Sequence, residues 1–207
     1  MKNSNLTDYP TATSTGARRF VDKVAIVVGA SANVGRALAE LLAQEGARVV
    51  VHYNSDSKRG QAEEVVAAVK AYGSDAIAFQ ADLTRPEQAT QLFDAAIAKF
   101  GKVDILINTA GKIIRKPLAD FTESEFDDLF NVNAKAAFFL LKEASQKIAD
   151  HGRILSFVTT MVAAFAPTYA GYAGSKAPLE HFSKSLAKEL GSRGVTVNCI
   201  APGPLDT

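Results

Sequence analysis

The chain has 207 residues, of which 47% are hydrophobic and 22% charged, and its formal net charge is +1. That balance suits one globular domain with a sizeable core, and the charge makes no electrostatic case for a nucleic-acid or anionic-membrane partner. A single cysteine, Cys199, rules out an internal disulfide and fits a reducing cytoplasm, the scattered His52, His151 and His181 have no metal-ligand spacing, and no apolar run reaches membrane-spanning length.

Residues 1–19 are polar and rich in Ser and Thr, which predicts a disordered N-terminal tail and leaves residues 20–207 as a single domain. Lys23 to Val28 is a short run rich in β-branched residues, the pattern of a parallel strand buried on both faces. It runs into Gly29-Ala30-Ser31-Ala32-Asn33-Val34-Gly35, after which Val34, Leu38, Leu41 and Leu42 mark one face of a helix. Strand, glycine-containing turn and helix together aim backbone N–H groups and a helix N-terminus at a phosphate. Gly29 and Gly35 suit the tight turn and a close backbone approach, although two glycines would equally serve an ordinary strand-to-helix turn.

Arg48 to Tyr53 is the second strand. Where a dinucleotide fold places an acidic residue to grip the adenosine ribose, this chain reads Tyr53-Asn54-Ser55, with Asp56 arriving late. A ribose 2′-phosphate would not be repelled there. Asn54 and Ser55 could donate to it with Lys58 or Arg59 nearby, which favours NADP(H) over NAD(H). These residues would also serve as ordinary helix caps.

Ala62, Val65, Val66 and Val69 predict the next helix, and Ala76 to Gln80 the third strand, followed by Asp82-Leu83. Pro86 opens a helix faced by Ala89, Leu92, Phe93, Ala96, Ile97 and Phe100, with Gly101 as its stop. Val103 to Ile107 is the fourth strand and ends in Asn108-Thr109-Ala110-Gly111. Alternating strands and amphipathic helices imply right-handed βαβ units and a parallel sheet covered on both faces. A ligand would then sit at the carboxyl ends of the strands, where each polar or glycine-containing motif falls.

A long helix is expected over roughly 123–149, with Asn133 inside it. Ile154 to Val158 is the fifth strand and ends at Thr159-Thr160, followed by an apolar loop over 161–168. A helix carrying Tyr172 and Lys176 continues past Pro178, which removes one backbone hydrogen bond and predicts a bend. Val195 to Ile200 is the sixth strand and leads into Pro202-Gly203. Tyr172 and Lys176 stand four residues apart, so a helix puts them on one face, and an ammonium beside a phenol favours its ionised form. This spacing makes a plausible proton-transfer pair, though a surface Tyr with a solvated Lys has the same spacing.

Together these residues resemble the short-chain dehydrogenase/reductase family over about residues 21–207. The motifs arrive in the family's order: the glycine-rich turn, Asp82-Leu83, Asn108-Thr109-Ala110-Gly111, Asn133, a hydroxyl residue, Tyr172 with Lys176, and Asn198 with Pro202-Gly203. The resemblance implies a Rossmann-type doubly wound parallel sheet in the order 3-2-1-4-5-6. It implies cofactor contacts from the turn at Gly29, Ser31, Asn33, Val34 and Gly35, from Tyr53, Asn54 and Ser55, and from Asp82 and Leu83 at the adenine. It further implies that Asn108, Ala110 and Gly111 back the cofactor, that Lys176 bonds the nicotinamide ribose and that Pro202 and Gly203 flank the nicotinamide.

Three departures stand out. Val28 and Asn33 replace a usual Thr and the usual middle Gly of the turn; Asn is among the residues that tolerate a left-handed backbone. Thr159, thirteen residues before Tyr172, occupies the place of the catalytic serine, with Thr160 as the second candidate. Family members usually continue further, so a lid helix and a last edge strand are expected to be absent from this chain.

The expected activity is interconversion of a ketone, possibly a 3-oxoacyl thioester, and a secondary alcohol. Tyr172 would serve as acid-base, with Lys176, Thr159 and Asn133 completing the catalytic group. The 161–168 loop with Ile113 and Ile114 would form an apolar substrate wall or a subunit contact. Arg115-Lys116 reads as a solvated pair, or as a draw for an anionic substrate or acidic carrier protein. A homo-oligomer, dimer or tetramer, built on the long helices is expected from the resemblance. The rival reading is a nucleotide-binding regulatory protein that keeps the cleft and has lost turnover; a purely structural fragment is a third.

Overall fold

Val24–Val28 forms strand β1 with every residue buried, as a run without a polar face requires. The structure, a computed structural model, describes residues 18–204. The tail expected over 1–19 therefore lies outside the described residues, apart from Arg18 and Arg19. After β1 come α1 (Asn33–Gln44), β2 (Arg48–Tyr53), α2 (Arg59–Ala71), β3 (Ala76–Gln80), α3 (Pro86–Phe100) and β4 (Ile105–Asn108). They are followed by α4 (Glu123–Phe130), α5 (Ala136–Lys147), β5 (Arg153–Phe157), α6 (Ala170–Lys176), α7 (Pro178–Glu189) and β6 (Thr196–Ile200).

The six strands make one sheet in the order β3-β2-β1-β4-β5-β6, every neighbouring pair parallel. This is the doubly wound order, which reverses direction between β1 and β4. Alternation along each strand splits the core in two. Ile26, Val50, Leu106, Ile154 and Val197 face Leu92, Phe93, Leu140 and Leu186. Val27, Val49, Val51 and Ile107 face Ala39, Leu42, Val65 and Val69.

The long helix expected over 123–149 is two helices. Between α4 and α5, residues Asn131–Lys135 form a π-turn, closed by the Ala136 N–H bonding to the Asn131 carbonyl. One extra residue is thereby accommodated without a break in direction, a device that frees and displaces backbone groups. Thr122 caps α4 through a reciprocal capping box with Glu125. The bend expected at Pro178 is local: Ala177, between α6 and α7, keeps helical dihedrals, so Tyr172, Lys176 and Leu186 remain on one nearly continuous rod. Among the described residues no helix is long and apolar enough to cross a membrane.

Candidate active site

A cleft of about 600 Å³ opens at the carboxyl ends of β1, β4, β5 and β6. Its walls carry the turn residues Gly29, Asn33, Val34 and Gly35, then Ala110 and Gly111, Thr159, Tyr172, Lys176, Pro202 and Gly203. A second cavity of about 210 Å³ lies beside it over β2 and β3, lined by Ser31, Tyr53, Asn54, Asp82 and Leu83 among others. Gly29, Ala110 and Gly111 line both, so the two form one elongated crevice at the switch point.

The β1–α1 turn has the geometry that suits an anion. Asn33 has φ 52°, so the residue in place of the usual glycine takes the left-handed conformation that Asn tolerates. Ala32 stands at the N-cap and offers no side-chain bond, and no acidic residue lies in the first turn. The first N–H groups of α1 thus lack an internal partner and face the cleft at Asn33, Val34 and Gly35. Gly35 is obligatory by space: a Cβ there would lie 2.3 Å from the Gly29 carbonyl oxygen. The Thr109 hydroxyl donates to the Val28 carbonyl at 2.7 Å, tying this turn to the one after β4.

Lys176 is 3% exposed. Its ammonium donates to the carbonyls of Ala110 (3.0 Å) and Phe157 (2.9 Å), leaving one N–H for the cleft it lines. Burial draws its pKa down from the ordinary lysine value to about 8, against an opposing influence of Cys199. The close fit extends to Gly111, where a Cβ would come within 2.9 Å of the Lys176 Nζ. Thr159 is 7% exposed and lines the cleft. Its hydroxyl caps the short turn that follows by accepting the Met161 N–H at 3.3 Å. Thr160 does not line the cleft, and its N–H holds the Pro202 carbonyl at 3.1 Å.

Several expected site residues also make supporting bonds within the protein. Asn133 is 1% exposed and lines neither cavity. Its Oδ1 accepts the Lys112 N–H, and its Nδ2 donates to the Lys112 carbonyl and the Ser175 hydroxyl, each at 2.8–2.9 Å. Ser175 in turn donates to the Tyr172 carbonyl at 2.8 Å. The π-turn thus braces both the β4 loop and the helix of the Tyr-Lys pair. Asn108 is buried, and its Oδ1 accepts the Ala110 N–H at 3.1 Å. Asp82 holds the Thr84 N–H and hydroxyl through Oδ1.

Ser55 does not reach the crevice. Its hydroxyl turns to Asn54 and Ser57, because Ser55 starts the short 3-10 turn at Asp56–Lys58. Of the basic residues nearby, Lys58 lines the cleft while Arg59 pairs with Asp56 at 3.0 Å. Only Ile113 of the expected apolar wall lines the cleft; Phe165 in the 161–168 loop is 94% exposed. Arg115 is exposed and Lys116 half-buried, and each has a partner. Arg115 lies 4.7 Å over the Tyr169 ring and Lys116 bonds Glu125 at 2.7 Å.

His52 has no metal-ligand spacing in the sequence, and its place in the fold is a different one. The structure makes it a support of the site. The ring is 3% exposed, Nδ1 accepts the Gly29 N–H at 3.2 Å, and Nε2 bonds the Ala81 carbonyl at 2.9 Å. Its position in an apolar strand was the available signal, since a buried imidazole needs partners for both nitrogens. Burial lowers its pKa from 6.5 to about 4, partly offset by the Ala81 bond. As pH falls below 6.5 the unfolded chain takes up this proton first, so the folded state loses stability down to about pH 4. We expect a loss of up to ~3 kcal/mol across that window, read by urea unfolding at pH 7 and pH 4.5. A His52→Asn variant should show a flatter profile; an equal slope in both proteins would contradict the assignment.

Comparison with known proteins gives consistent results. The profile of a family described as short chain dehydrogenase matches residues 23–207. A hydroxynaphthalene reductase-like protein, Arp2 of Metarhizium brunneum, is 41% identical over 92% of this chain and 71% of its own length. Versicolorin reductase stcU of Emericella nidulans is 40% identical over 91% of this chain and 71% of its own. A dehydrogenase from Burkholderia cenocepacia, solved with bound NADP, superposes with a TM-score of 0.90 at 47% identity, covering 93% of this chain and 73% of that one.

Proposed function

The chain belongs to the short-chain dehydrogenase family and is an oxidoreductase acting on CH–OH and C=O groups, and we propose that it reduces a ketone with an apolar body at the expense of NADPH. The observation that carries this reading is the joint lining of one cleft by Tyr172, Lys176, Thr159 and the uncapped N-terminus of α1.

The crevice fits a dinucleotide. Its length spans two cavities, its glycines leave no room for a Cβ at the turn, and its open helix N–H groups suit a pyrophosphate. Gly29, Asn33, Val34 and Gly35 would hold the phosphates, Asp82 and Leu83 the adenine, and Pro202 and Gly203 the nicotinamide. Lys58 and Asn54, with no carboxylate on the crevice wall at the end of β2, support a 2′-phosphate. When bound, such a cofactor would supply the hydride that reduces the carbonyl carbon.

The rest falls to side chains of this chain. The Thr159 hydroxyl donates to the carbonyl oxygen and fixes its position. The Tyr172 phenol transfers its proton to that oxygen as the alkoxide develops. Lys176 holds its charge beside the phenolate left behind and keeps one N–H toward the ribose. Asn133 holds the helix and the β4 loop in register, and proton resupply along the π-turn is part of the proposal. Ile113, at the mouth, offers the apolar contact for the substrate body.

Fluorescence titration with NADPH and NADH in parallel tests the cofactor, with NADPH expected to bind tighter; tighter NADH binding would refute the reading of Tyr53-Asn54 and Lys58. A panel of cyclic aromatic ketones and 3-oxoacyl thioesters, followed by NADPH oxidation, tests turnover. Cofactor binding with no oxidation on any ketone would favour the rival, a regulatory NADP(H) binder, which Thr159 in place of serine motivates.

We place the enzyme in the cytoplasm and propose a homo-oligomer packed through α5 and α7. Phe138 there is 46% exposed and meets Phe182 edge-on at 5.1 Å, beside a groove of about 350 Å³. Light scattering coupled to size exclusion decides between monomer, dimer and tetramer.

A further inference from the structure

Two consecutive N–H groups begin the phosphate-facing turn, and both are taken by one residue. The Gly29 N–H goes to the His52 ring at 3.2 Å, and the Ala30 N–H goes to the His52 carbonyl at 2.9 Å. The other ring nitrogen reaches the Ala81 carbonyl at 2.9 Å, at the point where β3 opens into the second cavity. A carbonyl only accepts, so Nε2 carries the proton and Nδ1 is bare, which is what the Gly29 N–H requires. The imidazole is therefore a fixed-length strut from the start of the β1–α1 turn to the end of β3. It also decides which donors of the turn point inward and are spent, and which remain for a ligand. Gly29 has φ +75° and Asn33 has φ 52°, so the segment between them has no regular secondary structure to hold it in shape. The strut supplies that hold from beneath.

We infer that His52 is a positioning residue for the dinucleotide, fixing the pyrophosphate-facing turn relative to the adenine end of the crevice through the Gly29 bond. The inference rests on the cofactor reading above and deepens it. His52 lines the second cavity, and its role is to set the spacing of the two halves of the site.

Three variants separate the bonds. His52→Leu removes both. His52→Asn puts an amide oxygen where Nδ1 stands and keeps the Gly29 bond without reaching Ala81. His52→Gln puts an amide nitrogen near the place of Nε2 and keeps the Ala81 bond without accepting from Gly29. NADPH fluorescence titration should give a Kd raised roughly tenfold or more for Leu and Gln, the size of one buried donor left unpaired, and largely recovered for Asn. The effect should fall on Kd far more than on kcat at saturating NADPH, a split that a general loss of structure would not give. Amide exchange at Gly29 in the cofactor-free protein should quicken in Leu and Gln and stay slow in Asn. A His52→Leu protein that binds NADPH as the wild type does, or an Asn variant no better than Gln, would overturn the inference. If Leu does not fold, the Asn and Gln pair still decides. If the wild type binds no NADPH, the cofactor reading fails, and Gly29 exchange alone reports whether the strut exists.

Discussion

Replacing Tyr172 by Phe should lower kcat by roughly 10²- to 10⁴-fold, the usual worth of a positioned proton donor, while leaving the Kd for NADPH unchanged. The substitution is nearly isosteric. The ring keeps its place beside Tyr169, whose centroid lies 6.4 Å away, and the Tyr172 carbonyl still accepts from Ser175. Only the hydroxyl is lost, and with it, under the proposed mechanism, the proton for the developing alkoxide. A change confined to kcat would mark an interaction made in the transition state rather than in binding. Steady-state kinetics with the best ketone of the panel, together with cofactor titration, reads the outcome. A variant that turns over as fast as the wild type would remove Tyr172 from the mechanism.

Gly35→Ala should destabilise the protein by at least the ~1–3 kcal/mol of an overpacked core and abolish NADPH binding. The added Cβ would stand 2.3 Å from the oxygen and 2.8 Å from the carbon of the Gly29 carbonyl, and 2.8 Å from the Thr109 hydroxyl. Two of the three atoms are backbone and cannot swing aside, so the turn must open. Opening it moves the N–H groups that face the cleft and strains the Thr109 bond to Val28. Gly60→Ala is the matched control: its Cβ meets nothing within 4 Å in α2, so helix propensity should raise stability by ~0.5–1 kcal/mol. Thermal unfolding and NADPH titration of both variants test the contrast. Similar melting temperatures for the two would show that the turn is soft.

The strands and helices were legible because their causes are local and periodic, whereas the order of the sheet came from the family resemblance. Val24–Val28 has no polar face to expose, and α3 repeats its apolar residues at helical spacing. Asn33 was legible for a related reason: few residues other than Gly and Asn take a left-handed backbone cheaply, and φ 52° there needs one of them. Thr159 could be placed by counting, but only packing distinguishes it from Thr160. What stayed hidden depends on partners distant in sequence. Asn133 meets Lys112 and Ser175, and His52 meets Gly29 and Ala81, pairs that no spacing rule connects. Ser55 was misplaced because a short 3-10 turn redirects it. Thr168, a β-branched residue at φ 71°, runs against local preference. Its carbonyl accepts the Lys116 N–H at 3.1 Å, so tertiary contact holds a conformation the sequence disfavours.

The surplus residue in Asn131–Lys135 constrains how this chain can vary. Deleting one position here would close the π-turn into regular α-helix. α4 and α5 would keep their places while the turn itself shifts, carrying the amide of Asn133 away from Lys112 and Ser175. The hold on the β4 loop and on the helix of Tyr172 and Lys176 thus depends on the length of the chain at this point as well as on the identity of Asn133.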